Sequence, residues 1–248
     1  MSKIHFIGGE KGGVGKSVVA RLLVQWAVDK GLPFAAVDAD ESHGALLRHY
    51  PTFARAVDLA RPESADEIVS LALDQRSPDG RAVADRRVIV DLPAQSDRLV
   101  AAWLAEAGVL DLCAESRVDV VFWHVMDDGK DSIATLGRLL ARHAGKPRDQ
   151  RDNVRFVIVE NLGRGKEFSL FDRSAERAAA NAAGAVTIQL PELHTPAMRK
   201  IDRSDGSFWA AVNNPEFAAD LFTRMDRQRI KAWMVAVYDQ LARLGDVA

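Results

Sequence analysis

The sequence predicts an α/β fold, a doubly wound and mostly parallel sheet flanked by helices. Three observations predict it. Short strand-like runs alternate with longer, often amphipathic helical stretches along the chain. Two of those runs, VIVD at 88–91 and VIVE at 157–160, are apolar on both faces, as strands covered by helices on each side must be. The first strand also passes through a glycine-rich turn straight into a helix.

Taken in order, Lys3 to Gly8 (KIHFIG) reads as a buried strand, and Gly9-Glu10-Lys11-Gly12-Gly13-Val14-Gly15-Lys16-Ser17 is the turn. In the helix that follows, Val19, Leu22, Leu23 and Trp26 fall at i, i+3, i+4 and i+7 before Lys30 and Gly31 close it. Further strands are expected at Phe34 to Asp38, Arg87 to Asp91, Val118 to Trp123, Val154 to Glu160 and Ala185 to Leu190. Near the C-terminus, Ile230, Trp233, Met234, Val237, Leu241 and Leu244 form one apolar helical stripe, expected to pack on the sheet. Gln75 to Asp85, with Pro78 and Gly80, and Gly145 to Asn153 are expected to be the least ordered stretches.

With 248 residues and 48% hydrophobic content, the chain suits a single nucleotide-binding domain spanning 1–248. Lys and Arg number 33 against 35 Asp and Glu, a net charge of −2, so any binding to nucleic acid or anionic lipid has to come from a local patch. Cys113 is the only cysteine. That excludes an intrachain disulfide and a cysteine-built metal cluster within one subunit, and Cys113 is expected to be a small buried residue. No secretory apolar core opens the chain and no apolar run approaches the roughly 18 residues of a membrane span, so a cytoplasmic location is expected.

The glycine-rich turn carries the chemistry of a P-loop NTPase. Gly12, Gly13 and Gly15 permit positive φ and, with Val14, let successive backbone N–H groups turn inward on a polyphosphate. Lys16 then reaches the β and γ phosphates, Ser17 supplies a hydroxyl to Mg²⁺, and the phosphates rest on a helix N-terminus. The general pattern puts a glycine at position 10, where this chain has Glu10. Asp38 and Asp40, in AVDAD, end the second strand at the sheet edge where such folds bind ligands; they suit Mg²⁺ and water, or else cap the turn that follows. Asp91 ends RVIVD and offers a carboxylate at the same edge. Asn161 follows VIVE, where its amide suits both donors and acceptors of a purine edge or forms a turn.

The run KGGVGKS resembles the deviant Walker A box of the ParA/MinD ATPases. The resemblance implies that Lys11 reaches across a nucleotide-sandwich homodimer to the phosphates of the partner subunit. It implies a switch I in which Asp40 orients the attacking water and Asp38 holds a metal-bound water, and it makes Asp91 the Walker B residue of switch II. Relatives most similar to MinD place a glycine soon after that Asp, where this chain has Gln95. Asn161 takes the position of the base-reading residue, with adenine the expected base, and Leu190-Pro191-Glu192-Leu193 resembles the loop that flanks it, Pro191 in particular. Glu10 is a departure that stands to perturb the dimer face or pair with Lys11.

The implied activity is a Mg²⁺-dependent ATPase that dimerises with ATP, is reset by slow hydrolysis with an activating partner protein, and positions or partitions a cargo. IHFIGGEKGGVGKS and DLPAQ also resemble relatives on mobile elements, TraL-like conjugation proteins among them, so a plasmid, a chromosome, a conjugation apparatus or a protein cluster all remain as cargo. An alternative on the same fold is a metabolic ATP-dependent ligase resembling dethiobiotin synthetase. A related iron-protein reductase needs two cysteines per subunit, and a related tyrosine kinase needs a tyrosine-rich tail, whereas only Tyr50 and Tyr238 are present. A MinD-like membrane anchor is not expected, because Leu244 to Ala248 follow a core-facing helix. Non-specific DNA is a possible partner through Arg224, Arg227 and Lys231, which at about 100° per residue fall within about 60° of one another, with Arg199, Lys200 and Arg203 extending that face if the two segments adjoin.

Overall fold

The computed structural model describes residues 1–9, 11–40, 44–74, 85–144 and 153–247. Glu10 lies outside the described residues, as do 75–84 and 145–152, nearly all of the two stretches expected to be least ordered. The chain begins with β1 (Lys3–Gly8), α1 (Lys16–Lys30), β2 (Phe34–Asp38), α2 (Ala45–His49), β3 (Ala54–Ala56), α3 (Pro62–Leu73) and β4 (Arg87–Asp91). It continues with α4 (Asp97–Glu106), α5 (Val109–Glu115), β5 (Asp119–Met126), α6 (Lys130–His143) and β6 (Val154–Asn161). The last part holds α7 (Ser169–Asp172), α8 (Ala175–Ala182), β7 (Val186–Leu190), α9 (Thr195–Ser204), α10 (Phe208–Asn213) and α11 (Arg224–Ala242).

Among the described residues, seven strands form one sheet in the order β3-β2-β4-β1-β5-β6-β7, every pairing parallel. The chain leaves β1 toward β2 and β3, returns to β4, and then builds β5 to β7 on the other side of β1. The carboxyl end of β1 therefore lies where the winding changes direction, the crevice in which such sheets bind ligands.

Alternation along the strands divides the core. Phe6 joins Val88, Val90 and Phe122 beneath α3 to α6, while Ile7 joins Ile89, Val121 and Trp123 beneath α1, α9 and α11. The stripe on α11 faces this second layer: Ile230, Trp233, Met234, Val237 and Leu241 are buried, and so is Leu244 just past the helix. A reciprocal cap starts α11, in which Thr223 Oγ1 accepts from Asp226 N at 3.1 Å while Thr223 N donates to Asp226 Oδ2 at 3.0 Å. Cys113 is buried and unbridged. No helix among the described residues is long and apolar enough to cross a membrane.

β6 runs one residue further than expected, to Asn161, and β7 begins one residue later, at Val186; the larger departures are at β3 and β5. β3 is a three-residue edge strand, Ala-Arg-Ala, too short and too weakly apolar to show a period. β5 runs to Met126 rather than Trp123, because His124 is buried and its Nε2 meets the Ser132 carbonyl oxygen at 2.9 Å. A hydrogen-bonded histidine is thus carried inside a strand that is buried along its whole length.

Candidate functional site

The loop that leaves β1 is shaped by glycine. Gly15, at φ 105°, caps α1 in a left-handed conformation, and a Cβ there would lie 2.4 Å from Asn161 Nδ2. Of the three glycines expected at positive φ, Gly13 and Gly15 take it and Gly12 does not, while Gly9, outside that expectation, does. Asn161 Nδ2 donates to the Val14 carbonyl oxygen at 2.7 Å and its Oδ1 accepts from Gly163 N at 3.0 Å. The amide thereby ties the end of β6 to the glycine loop. One N–H and one lone pair remain for a ligand.

Lys16 is buried at the first turn of α1, its Nζ donating to the Lys11 carbonyl oxygen at 3.3 Å. Burial lowers its pKa, against the pull of the Asp91 and Asp40 carboxylates. Asp91 lies alongside at the end of β4, in register with Ile7 of β1 and with Asp38 of β2. Its side chain is wholly enclosed, and neither carboxylate oxygen has a hydrogen-bond partner among the described residues. Burial pushes its pKa up to about 7; the Ser17 hydroxyl and Lys16 favour the ionised form, although no hydrogen bond of good geometry closes between Ser17 and Asp91. An enclosed carboxylate without a partner is costly. Beside a hydroxyl, it is the oxygen set a hard divalent cation takes.

Asp38 occupies the matching position one strand away and is used quite differently. Its Oδ2 accepts from Leu46 N at 2.8 Å and Leu47 N at 3.1 Å, and its Oδ1 accepts from Asp40 N at 3.1 Å. It therefore caps α2 from outside, the turn-capping reading of this residue, and burial raises its pKa against those three bonds. Asp40 is half-buried, near enough to Lys16 and Asp91 to bear on both.

Lys11 has a partner that the sequence did not bring out. Its Nζ donates to Asp127 Oδ2 at 2.6 Å, and Asp127 Oδ1 accepts from Ser132 Oγ at 2.6 Å and Gly129 N at 3.1 Å. Hydrogen bonding to Asp127 raises the Lys11 pKa. Asp127 follows β5 directly, at the same sheet edge as Asp38 and Asp91; reading that strand to its true end at Met126 is the signal that finds it.

Beyond the loop lies a cavity of about 260 Å³, lined by Gly15, Asn161, Pro191, Arg164, Arg199 and Trp233 among others. The expected base-reading Asn161 and the expected Pro191 thus share one cavity. Trp233 Nε1 donates to the Pro191 carbonyl oxygen at 2.7 Å, so α11 fixes the loop after β7, and that carbonyl is already engaged. Arg164 was not singled out from the sequence, and Arg199 and Trp233 were read there as part of a basic face and an apolar stripe, since only the fold brings them to Gly15.

The basic face on α11 comes out smaller than expected. Arg224 and Lys231 are exposed, but Arg227 donates to the carbonyl oxygens of Ala211, Asn214, Pro215 and Phe217 at 2.8 to 3.2 Å and packs over Phe222. Its guanidinium is a staple for the segment between α10 and α11. The two basic segments do adjoin, through Lys200 Nζ and Asp226 Oδ2 at 2.5 Å, a contact that spends Lys200 and leaves Arg199 and Arg203 exposed.

Residues 5–198 match the family described as the CobQ/CobB/MinD/ParA nucleotide binding domain. Protein MobD of Acidithiobacillus ferrooxidans is 26% identical over 193 residues, covering 77% of this chain and 78% of its own length. Protein TraL of Escherichia coli is 25% identical over 244 residues, covering 97% and 98%. Among solved structures, the septum site-determining protein MinD of Pyrococcus horikoshii OT3, complexed with Mg-ADP, shares the fold, with a TM-score of 0.51 at 18% identity over 100% of this chain and 99% of that one.

Proposed function

The chain belongs to the CobQ/CobB/MinD/ParA family of nucleotide-binding domains, and from that premise we propose that it is an ATP-hydrolysing switch that closes into a homodimer around ATP. The observation that carries the reading is the enclosed, unpartnered Asp91 carboxylate beside Ser17 and Lys16 under the glycine loop. In this reading Ser17 and Asp91 hold Mg²⁺, directly or through water, and Asp38 keeps the switch I backbone in place as a cap. Bound Mg²⁺ supplies positive charge to the β and γ phosphate oxygens. Lys16 supplies the neighbouring charge, the backbone amides of Gly12, Gly13, Val14 and Gly15 cradle the phosphates, and Asp40 orients the attacking water. Asn161 and the loop at Pro191 receive adenine in the 260 Å³ cavity. The MinD structure of Pyrococcus horikoshii OT3 is a complex with Mg-ADP, in keeping with this ligand pair.

Lys11 is the residue that makes the switch dimeric, acting on the partner subunit's nucleotide once it leaves Asp127. An activating protein and a cargo complete the cycle. Non-specific DNA is one such cargo, through Arg224, Lys231, Arg199 and Arg203, with binding that requires ATP and weakens steeply with salt. The deciding experiment is Lys11→Ala. Calorimetry should show ATP affinity close to that of the parent, while light scattering shows no ATP-dependent dimer and turnover is lost. A mutant that dimerises and hydrolyses like the parent removes the switch reading. A parent whose ATPase responds to small acids but not to DNA or protein partners favours the ligase reading instead.

A further inference from the structure

We propose that Gln95 orients the attacking water from the switch II side, an inference that rests on the ATPase reading above. Gln95 adopts φ 61°, one of five non-glycine residues at positive φ among those described. Two of the others, Asp205 and Arg117, follow the ends of α9 and α5, where a left-handed residue is an ordinary helix stop. Gln95 instead comes before a helix. It is the third residue of the turn Pro93-Ala94-Gln95-Ser96 that leads into α4, a turn pinned by Ser96 Oγ donating to the Pro93 carbonyl oxygen at 2.9 Å. A left-handed residue at that place in a turn is ordinarily Gly or Asn. Keeping a longer side chain on strained backbone is the pattern of a site that needs the side chain.

Its place in the fold says what for. The turn leaves β4 four residues after Asp91, and Leu92 N donates to the Ile7 carbonyl oxygen at 3.2 Å, which anchors the turn beside the end of β1 and its glycine loop. Gln95 is exposed, and its side chain makes no hydrogen bond among the described residues. Across the same edge, Asp38 is occupied by backbone N–H groups and Asp91 faces Ser17. Asp40 meets the water from the switch I side as an acceptor only, and an amide on the switch II side adds the donor that a carboxylate lacks. Its oxygen accepts from water while its NH₂ donates to a phosphate oxygen, and phosphoryl transfer needs positioning more than it needs a strong base. The water oxygen forms the new bond to the γ-phosphorus as the bond to the β–γ bridging oxygen breaks, its electron pair leaving with ADP. One of the water's protons stays on the attacking oxygen and the other passes to a γ-phosphate oxygen, so both leave with the released phosphate and Gln95 is unchanged.

The test compares Gln95→Gly and Gln95→Ala with the parent. Both variants should bind ATP within about twofold of the parent and still dimerise with a non-hydrolysable analogue, while kcat falls on the order of 100-fold, the scale of losing one positioned hydrogen-bonding group. Only the parent should be trapped by ADP, Mg²⁺ and aluminium fluoride, a mimic of in-line attack. Gln95→Gly should melt at or above the parent's temperature, since glycine takes this backbone without strain. If Gln95→Gly hydrolyses ATP and forms the trapped complex as the parent does, or loses dimerisation along with turnover, the proposal is overturned while the ATPase reading stands. If the parent itself does not hydrolyse ATP, both fall together.

Discussion

Asp91 and Arg227 are both charged side chains that the fold draws in, yet they meet opposite surroundings. Asp91 is enclosed beneath the glycine loop with no hydrogen-bond partner among the described residues, whereas Arg227 satisfies four backbone carbonyls at the far flank. A buried carboxylate left unsatisfied at a ligand crevice calls for a partner from outside the chain, whereas a guanidinium that backbone carbonyls satisfy is part of the frame. The same contrast recurs within a few ångströms, between Asp91 and its register partner Asp38, whose carboxylate accepts from three backbone amides.

The largest effect that contrast implies is at Asp91. Asp91→Asn should lower Mg²⁺-dependent ATP turnover by on the order of 100-fold while making the ligand-free protein more stable by about 1–3 kcal/mol, because an unpaired buried carboxylate costs about that much or more. Activity assays and urea titrations of one preparation check both. If the free protein loses stability, Asp91 has an internal partner and the contrast breaks. Arg227→Ala should do the reverse, leaving nucleotide affinity unchanged and costing about 2–4 kcal/mol through four abandoned carbonyls and lost packing on Phe222. An ATP-dependent loss of DNA retention without loss of stability would instead return Arg227 to the basic face.

Much of the fold was legible because its signals are local. β1, β2 and β4 fall on their expected bounds, and α1 ends at Lys30 with Gly31 as its left-handed cap. The apolar stripe of α11 is buried as its period required. At the candidate site, spacing placed Gly15, Lys16 and Ser17 at the start of α1, and the end of a strand placed Asp91 beside them. The site was not legible where a partner comes from far along the chain. Asp127 lies 116 residues from Lys11, and the carbonyls that take up Arg227 belong to the end of α10 and the turn after it, which carry no side-chain pattern that points to an arginine. Spacing told which residues lie on one helical face, as it did for Arg224, Arg227 and Lys231, but not which of them the fold had already used.

Histidines carry the next effect, one in each region. His124, in register with Gly8 behind the glycine loop, and His49, whose Nδ1 meets the Gly206 carbonyl oxygen at 2.9 Å on the flank, are both held by burial to a pKa of about 4. The unfolded chain takes up these protons near pH 6.5 and the folded one only near pH 4. Each histidine therefore contributes stability that is fully present above pH 6.5 and is lost as pH falls toward 4, on the order of 3 kcal/mol at most. In urea titrations, the parent's margin over His49→Gln should be constant above pH 6.5 and shrink below it. A margin that stays flat to pH 4.5 would show that His49 is charged in the folded state.

The smallest effect sits where the two kinds of side chain meet, at Lys11. Lys11 is paired like a frame residue, yet it is 39% exposed and its partner Asp127 is 15% exposed, so water screens the contact. Ion pairs screened in that way contribute little, a change in an equilibrium of at most about fivefold. If Lys11 must leave Asp127 to act on a partner subunit, Asp127→Asn should lower the ATP concentration needed for dimerisation by up to that factor, and added salt should give the parent part of the same gain. Asp127 also accepts from Ser132 Oγ and Gly129 N, and asparagine keeps an oxygen for those bonds, so the loop after β5 should hold its shape. Light scattering across an ATP series reads the shift directly. A midpoint that moves to higher ATP would mean that Asp127 presents Lys11 to the partner rather than restraining it, and the pair would then count as part of the interface.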